Sequence, residues 1–161
     1  MAETLIITEG LNREALYREI IPQIAAVLED ENDLVANLAN TAAMLKEAFG
    51  FFWVGFYRAE ENTLILGPFQ GPLACTRISF SRGVCGASAT QQKTLLVPDV
   101  AQFPGHIACS SLSKSEVVVP LVVGGKTRLV LDVDSDQLDD FSQVDVSYLE
   151  QIVALLAKHF E

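Results

Sequence analysis

The sequence predicts an α+β fold in which about six mostly antiparallel strands form one sheet and helices from both ends of the chain cover one of its faces. Two stretches near the start and one at the end repeat apolar residues at helical spacing. The middle of the chain instead alternates short runs of aromatic and branched residues with turn residues. The connections between these runs are too short for the repeated crossovers of a parallel sheet.

Two amphipathic helices are predicted ahead of the sheet, over residues 11–30 and 33–50. Because proline lacks the amide hydrogen that an interior helical position donates, Pro22 is expected to kink or divide the first helix. Gly50 is a suitable C-terminal stop for the second helix. The apolar stripes consist of Leu16, Ile20, Ile24 and Val27 in the first helix and of Leu34, Leu38, Ala42 and Leu45 in the second.

The predicted strands begin with FFWVGFYRA, TLILGPF and ACTRISF, which cover residues 51–59, 63–69 and 74–80. These runs are rich in the aromatic and branched side chains that strands favour. A short helix, GVCGASATQQK, is predicted to begin at Gly83. The stretch TLLVPDV then predicts a further strand that stops at Pro98, because proline cannot donate to a strand ladder.

Residues 99–114 are predicted to form a long loop, and a long loop inside a compact domain is often functional. The stretch SEVVVPLVVGGKTRLVLDVDS predicts two strands joined by a Gly-Gly turn. The final helix is predicted over 141–160, with Ser142 as its N-cap and Asp145 three residues later. No linker or internal repeat separates these elements, so we expect one domain over residues 1–161.

The charge balance argues against two classes of partner, nucleic acids and anionic membranes. The chain carries 21 acidic and 11 basic side chains, a net charge of −10, whereas both partners attract basic surfaces. The N-terminal stretch lacks the basic segment and apolar run of a secretory signal, and no stretch approaches the ~18 apolar residues of a membrane span. We therefore expect a cytoplasmic protein whose thiols are kept reduced.

Three cysteines, Cys75, Cys85 and Cys109, are the candidate reactive groups. An odd number makes a poor structural disulfide framework, and no CxxC pair is present. Histidine occurs only at positions 106 and 159, so closely spaced metal ligands are missing and no metal site is expected. Redox chemistry of the cysteines remains possible.

Cys109 belongs to the loop stretch GHIACSS, residues 105–111. The apolar Ile107-Ala108 stem before it suits a lid that closes over a substrate. His106 lies three positions before the cysteine and has two interpretations. It is either a solvated loop histidine or, as an imidazolium, it lowers the pKa of the Cys109 thiol.

Asp132 and Asp134 lie two residues apart on one predicted strand, so their side chains share a face of the sheet. Whether Glu116 on the partner strand joins them depends on the turn. A two-residue Gly-Gly loop places Glu116 on the opposite face, whereas a three-residue loop places it opposite Asp134. The acids then either line a solvated face or converge in a pocket, where close carboxylates raise one another's pKa.

Trp53 and Tyr57 lie four residues apart on a predicted strand and share a face, with Gly55 between them. Aromatic residues of a strand are commonly core residues. Their polar tips, and the gap at Gly55, also suit the wall of a small pocket. The sequence is thus consistent with both positions for these aromatic residues, in the core or in a pocket wall.

Several stretches together resemble one family. The phrases WVGFYR, LGPFQGPLACTRI, RGVCG, PDVAQFPGHIAC, SEVVVPLVV and LDVDS occur in this order, with the three cysteines each in its own context. They closely resemble the free methionine-(R)-sulfoxide reductases, which are single GAF domains, over about residues 35–160. One departure is Ser110, which stands where family members often have an aspartate. The resemblance implies a GAF fold, which agrees with the predicted order of elements.

The resemblance implies reduction of free methionine (R)-sulfoxide with thioredoxin as the electron donor, itself supplied by thioredoxin reductase and NADPH. It implies no bound cofactor and a homodimer formed through the terminal helices. A GAF ligand sensor that binds a small molecule without turnover is the alternative. Such sensors usually stand beside effector domains, and the cysteine trio has no purpose in one.

The resemblance also implies roles for eight residues. Cys109 matches the nucleophile, and Cys75 matches the resolving cysteine that forms a disulfide with it. Cys85 matches a third cysteine of less uniform role, either catalytic thiol, second resolver or, as a structural alternative, a small buried side chain. Glu116 and Asp134 are expected to supply the proton. The substrate-binding residues are expected to be Trp53, Tyr57 and Asp132.

Overall fold

Six antiparallel strands form one sheet in the computed structural model, which describes residues 4–106 and 109–161. The strand order is β3-β2-β1-β6-β5-β4, so the predicted α+β fold is confirmed. The helices are α1 (Arg13–Glu29), α2 (Leu34–Phe49), α3 (Gly83–Gln91) and α4 (Gln143–Ala154). The strands are β1 (Trp53–Glu60), β2 (Thr63–Gln70), β3 (Arg77–Ser79), β4 (Leu95–Val97), β5 (Ser115–Val123) and β6 (Lys126–Ser135).

Helices α1, α2 and α4 cover one face of the sheet, as the prediction that both chain ends pack there requires. Alternate residues of the three central strands point into this layer because side chains of a strand alternate between faces. The strand side chains buried there are Val54, Phe56, Val117, Val119, Leu121, Leu129, Leu131 and Val133. This helical layer holds the larger apolar core and leaves the other face free for a site.

A second, smaller layer covers the opposite face of the sheet. It consists of α3 and of the segments that connect this helix to the edge strands β3 and β4. The buried strand residues on this side include Trp53, Tyr57, Val118 and Val130. All the residues that the sequence singles out on strands β1, β5 and β6, except Gly55, meet this layer at a pocket.

Helix α1 runs without interruption through Pro22, so of the two expected effects of this proline the division is wrong, and the kink stays a prediction. The missing hydrogen bond leaves the carbonyl of Arg18 free, and both residues lie on the exposed side, where water can satisfy that carbonyl. The opposite side is held by fully buried apolar side chains. These are Tyr17, Ile20, Ile24 and Leu28, so the buried stripe differs from the predicted one at its first and last members.

Some of the other predicted elements are shorter in the structure than expected. The stretch 74–80 contributes only the three residues of β3, and α4 ends before a short 3-10 helix, Ala157–His159. The long loop contains another 3-10 helix, Val100–Gln102. Gly50 ends α2 with a left-handed φ of 65°, as predicted. Within the described part of the chain, no helix combines the length and the apolar content needed to cross a membrane.

A buried polar network fixes α1 against the start of α4. Ser142 and Asp145 form the predicted capping box, and Asp145 also accepts a hydrogen bond of 2.6 Å from the Tyr17 hydroxyl. Arg13 pairs with Asp145 and with Asp140 at 3.2 Å each. Asp145 is fully buried, so these donors are what keep its carboxylate in the interior.

Removing the hydroxyl of Tyr17 tests this network. We expect Tyr17→Phe to lower the free energy of unfolding by about 2 kcal/mol, because a buried carboxylate loses a donor. Tyr148→Phe is the matched control. Its hydroxyl bonds the exposed Arg18, which water can replace, so its unfolding should be nearly unchanged. Urea denaturation of both variants measures the difference, and equal losses would contradict the assigned role of Asp145.

Candidate active site

The hairpin of β5 and β6 decides where the three carboxylates lie. Its turn pairs Val123 with Lys126, as a two-residue loop does, yet Glu116 faces Asp134 as the three-residue alternative predicts. A β-bulge reconciles the two outcomes. The pairing shifts between Leu121 and Val122, leaving Arg128 as an extra residue on β6. Each end of the hairpin therefore follows a different one of the two predicted alternatives.

Strand β1 completes this face of the sheet from the other side of β6. Trp53 pairs with Asp134, and Tyr57 pairs with Val130. The indole of Trp53 donates to the carbonyl of Pro72 at 3.1 Å, and its ring lies over Tyr57 with centroids 6.0 Å apart. The aromatic side chains and the carboxylates therefore border the same space, as the pocket interpretation requires.

Gly55 does not form the pocket gap that the sequence suggested. A Cβ atom there would lie 2.8 Å from the indole Cη2 of Trp53 and in contact with the Cβ of Phe69. Phe69 stacks on Trp53 with ring centroids 5.2 Å apart. The missing side chain thus lets two aromatic residues pack closely, and it shapes the pocket only through the position of Trp53.

Glu116 and Asp132 are buried, Asp134 is half-buried beside them, and the three carboxylates shift one another's protonation. Burial, then the charges of Asp132 and Asp134, raise the pKa of Glu116 well above its usual range. Burial likewise raises the pKa of Asp132, although neighbouring donors oppose the shift. Burial and Asp132 raise the pKa of Asp134, while the Ser113 hydroxyl, donating at 2.9 Å, opposes this. The cluster therefore holds its protons to a higher pH than isolated carboxyls do.

Cys85 belongs to the first turn of α3 and lies buried among these acids. Its thiol donates to Oε1 of Glu116 over 3.8 Å. Burial, and then the charges of Asp132 and Glu116, raise the pKa of this thiol well above its usual range. Cys85 is a free cysteine, and its thiol stays protonated in this setting.

Cys75 and Cys109 are joined by a disulfide with Cα atoms 5.5 Å apart, the pairing that the family resemblance implies. The hydroxyl of Tyr57 donates to the carbonyl of Cys75 at 2.8 Å and holds that segment against the sheet. Burial raises the pKa of Tyr57, so its hydroxyl remains a donor. The sequence carries no signal for this contact, because the two residues lie on separate elements.

A pocket opens above these groups and holds about 580 Å³ of space, its open mouth included. All the predicted site residues line it except Cys75, whose neighbour Ala74 does. His106 also lines it, and burial lowers its pKa against the pull of Asp132, which disfavours the imidazolium hypothesis. The Ile107-Ala108 stem lies outside the described residues. Lining residues that the sequence analysis missed include Phe52, Leu73, Ile78, Val84 and Ser113.

The pocket floor also contains potential ligands for a cation. One ligand atom each of Cys85, Glu116 and Asp132 lies within 4.8 Å of the others. They come from α3, β5 and β6, so no spacing pattern in the sequence reveals them. Chemically, the site brings together thiols, a protonated carboxyl and anionic oxygens around a space with an aromatic wall.

Comparison with known proteins gives consistent similarities. The GAF domain family matches residues 29–161. The chain is 59% identical to GAF domain-containing protein A of Dictyostelium discoideum over 97% of its length and 99% of that protein. It is 42% identical to the free methionine-R-sulfoxide reductase of Escherichia coli (strain K12), over 92% of this chain and 90% of that protein.

Among solved structures, the chain is similar to a free methionine-R-sulfoxide reductase from Neisseria meningitidis in complex with its substrate. The identity is 54% and the TM-score is 0.94, over 98% of this chain and 95% of that one. The likeness thus extends across the sheet, its helical layer and the layer above the pocket.

A methyl group at position 55 tests how Trp53 is held. We expect Gly55→Ala to lower the melting temperature and to change the fluorescence of Trp53, the chain's single tryptophan, because the new Cβ collides with its indole. Gly10→Ala is the control. That glycine has a φ of +80° and no atom within 4 Å, so its substitution strains the backbone without touching Trp53. Unchanged emission in Gly55→Ala would contradict the packing.

Proposed function

The chain belongs to the GAF-domain family of free methionine-(R)-sulfoxide reductases, a class of oxidoreductases, and from this membership we propose that it reduces free L-methionine (R)-sulfoxide to L-methionine. One observation carries the proposal. A single pocket brings together Cys109 of a disulfide, a carboxyl that retains its proton and an aromatic wall. Each of these groups serves one step of sulfoxide reduction.

In the first step the thiolate of Cys109 attacks the sulfur of the sulfoxide. The oxygen receives a proton and passes from the substrate sulfur to the Cys109 sulfur, as the substrate sulfur–oxygen bond and the transient bond between the two sulfurs break. The products are methionine and a sulfenic acid on Cys109. The substrate gains two electrons and the cysteine loses them. Because an oxide is a poor leaving group, the reaction depends on the proton that accompanies the oxygen.

Glu116 is the proposed proton donor. It is 5% exposed, and its raised pKa keeps the carboxyl protonated near neutral pH, as a general acid requires. Asp134 faces it across the hairpin and acts with it, since the protons of such a cluster are shared. After the transfer, a proton from solvent through the pocket mouth restores the acid.

In the second step the thiol of Cys75 attacks the sulfenic acid, releasing water and forming the disulfide. A thioredoxin then reduces the disulfide by thiol exchange. Thioredoxin reductase in turn reduces the thioredoxin with electrons from NADPH. No bound cofactor enters this sequence, because thiols carry both electrons. The disulfide between Cys75 and Cys109, and the protonated, free Cys85 beside Glu116, support this division of roles.

Selectivity for the free amino acid follows from the charges in the pocket. Asp132 is proposed to bind the substrate ammonium, with Asp134 as the alternative, and the methyl group packs against Trp53 and Tyr57. The substrate carboxylate is assigned to backbone N–H groups of the loop around residues 105–113. A methionine sulfoxide within a peptide chain lacks the free ammonium. Its binding would leave buried carboxylates unpaired and is therefore strongly unfavourable.

The proposal includes a cytoplasmic setting, where thiol donors keep cysteines reduced, and a homodimer formed through the terminal helices. Neither is needed for the chemistry at the pocket, whose named residues all belong to one chain.

The choice of substrate tests the function. With a thioredoxin system, we expect turnover of free methionine (R)-sulfoxide and no measurable turnover of the (S) epimer or of a peptide-bound sulfoxide. Cys109→Ser should abolish turnover, whereas Cys85→Ser should retain part of it. Binding of the (R) sulfoxide without turnover in the unmodified protein would instead support a ligand sensor. Mass mapping that finds Cys85 linked to Cys109 would transfer the resolving role to Cys85.

The proton donor is tested by the pH dependence of kcat. We expect Glu116→Gln to slow turnover by about 10²–10⁴-fold, the usual contribution of a general acid. In the unmodified enzyme the rate should fall as pH rises through the raised pKa of Glu116, since the acid must hold its proton. Glu116→Gln should lose this alkaline decline. The exposed Asp136→Asn should keep both rate and profile, and a persistent decline in Glu116→Gln would contradict the assignment.

A further inference from the structure

We propose that Cys85, Glu116 and Asp132 bind a thiophilic divalent cation of the zinc class, which then competes with the substrate for the pocket. The ion acts as an exchangeable inhibitor, because the reaction proposed above needs no resident metal. The competition rests on the proposed function, whereas the binding of the ion does not.

The first observation is an unsatisfied oxygen. Oδ1 of Asp132 is buried and has no hydrogen-bond partner among the described residues, and the side chain is only 7% exposed. A buried acceptor without a partner is unfavourable in an apolar setting. A cation placed between this oxygen, Glu116 and Cys85 would satisfy it.

The second observation is the geometry of the three ligands. Zinc bonds of about 2.3 Å to sulfur and 2.1 Å to oxygen, at a tetrahedral angle, separate the two ligand atoms by roughly 3.6 Å. The thiol sulfur of Cys85 and Oε1 of Glu116 are 3.8 Å apart. A carboxylate oxygen of Asp132 lies within 4.8 Å of the ligand atoms of Cys85 and Glu116, so a small side-chain movement brings all three within bonding distance of one ion. Three protein ligands leave a fourth position for water, as in exchangeable zinc sites.

The third observation is the charge of the pocket. Among the described residues that line it are three carboxylates and no lysine or arginine. A divalent ion supplies the positive charge that these lining residues lack, and its binding takes the proton from the Cys85 thiol, which becomes a thiolate ligand.

The thiol also decides which ions bind. Magnesium and calcium prefer oxygen ligands, whereas a thiolate favours zinc, cobalt and cadmium. Carboxylates alone would suit an ammonium group or magnesium equally, so Cys85 is the residue that gives this pocket its metal preference. An ion held by Glu116 and Asp132 occupies both the proton donor and the ammonium site. It therefore excludes the substrate.

The binding is tested on the oxidised protein, in which Cys85 is the free cysteine. We expect Co²⁺ to give a thiolate-to-cobalt charge-transfer band at one ion per chain, and Mg²⁺ to give no binding heat. Zinc binding measured by calorimetry in buffers of different ionisation enthalpy should release protons, since a thiol must lose its proton to become a zinc ligand.

Two variants and a control separate this site from others. Cys85→Ser should lose the cobalt band and weaken zinc binding by at least tenfold, whereas the exposed Asp136→Asn should change neither. A double variant, Cys75→Ser with Cys109→Ser, leaves Cys85 as the sole cysteine of the chain and should keep the band. Absence of the band in both the oxidised protein and the double variant overturns the proposal, as does unchanged zinc affinity in Cys85→Ser.

The competition is tested by turnover at increasing zinc. The KM for methionine (R)-sulfoxide should rise while kcat is unchanged, and Cys85→Ser should show a shift at least tenfold smaller. The shift that remains in Cys85→Ser measures the zinc that the thiols of the thioredoxin donor bind, so it serves as the correction. Zinc binding with an unchanged KM overturns the competition. A protein without turnover before zinc is added overturns the proposed function instead, and the cobalt band still decides the binding.

Discussion

The register between β5 and β6 is the constraint on which the site depends. Side chains alternate along a strand, so a slip of one residue would move Glu116 to the helical core and leave Asp132 and Asp134 without it. The bulge at Arg128 absorbs one residue near the turn and restores the pairing further along. The guanidinium of Arg128 donates to the carbonyl of Val123 at 3.1 Å and secures that end of the hairpin.

Given this register, the chemistry follows from burial. Three carboxylates and a thiol lie between the sheet and α3, and the described residues that line the pocket include no lysine or arginine to compensate their charge. Protons, an ammonium group or a metal ion can each supply the counter-charge. A site that holds protons for a reaction is therefore also a site at which cations compete, and the thiol of Cys85 decides which metals take part.

Patterns within one element were predictable, and contacts between elements were less so. The periodicity of α2, its stop at Gly50 and the Ser142 cap could be read because each depends on neighbours in sequence. The bulge at Arg128 could not be predicted, because both alternatives for the turn assumed regular pairing along the hairpin. Gly55 was misjudged for a similar reason: Phe69, which fills the gap, lies on another strand.

The disulfide closes a covalent ring, because the two cysteines are separated by 34 positions and the segment between them contains β3, α3 and β4. This segment is most of the layer above the pocket, Cys85 included. Cross-linking a loop of this length removes chain entropy worth about 4 kcal/mol from the unfolded state in the polymer model. In the proposed reaction this ring is closed in the oxidised protein and open in the reduced one, so the layer above the pocket is more stable against unfolding in the oxidised protein.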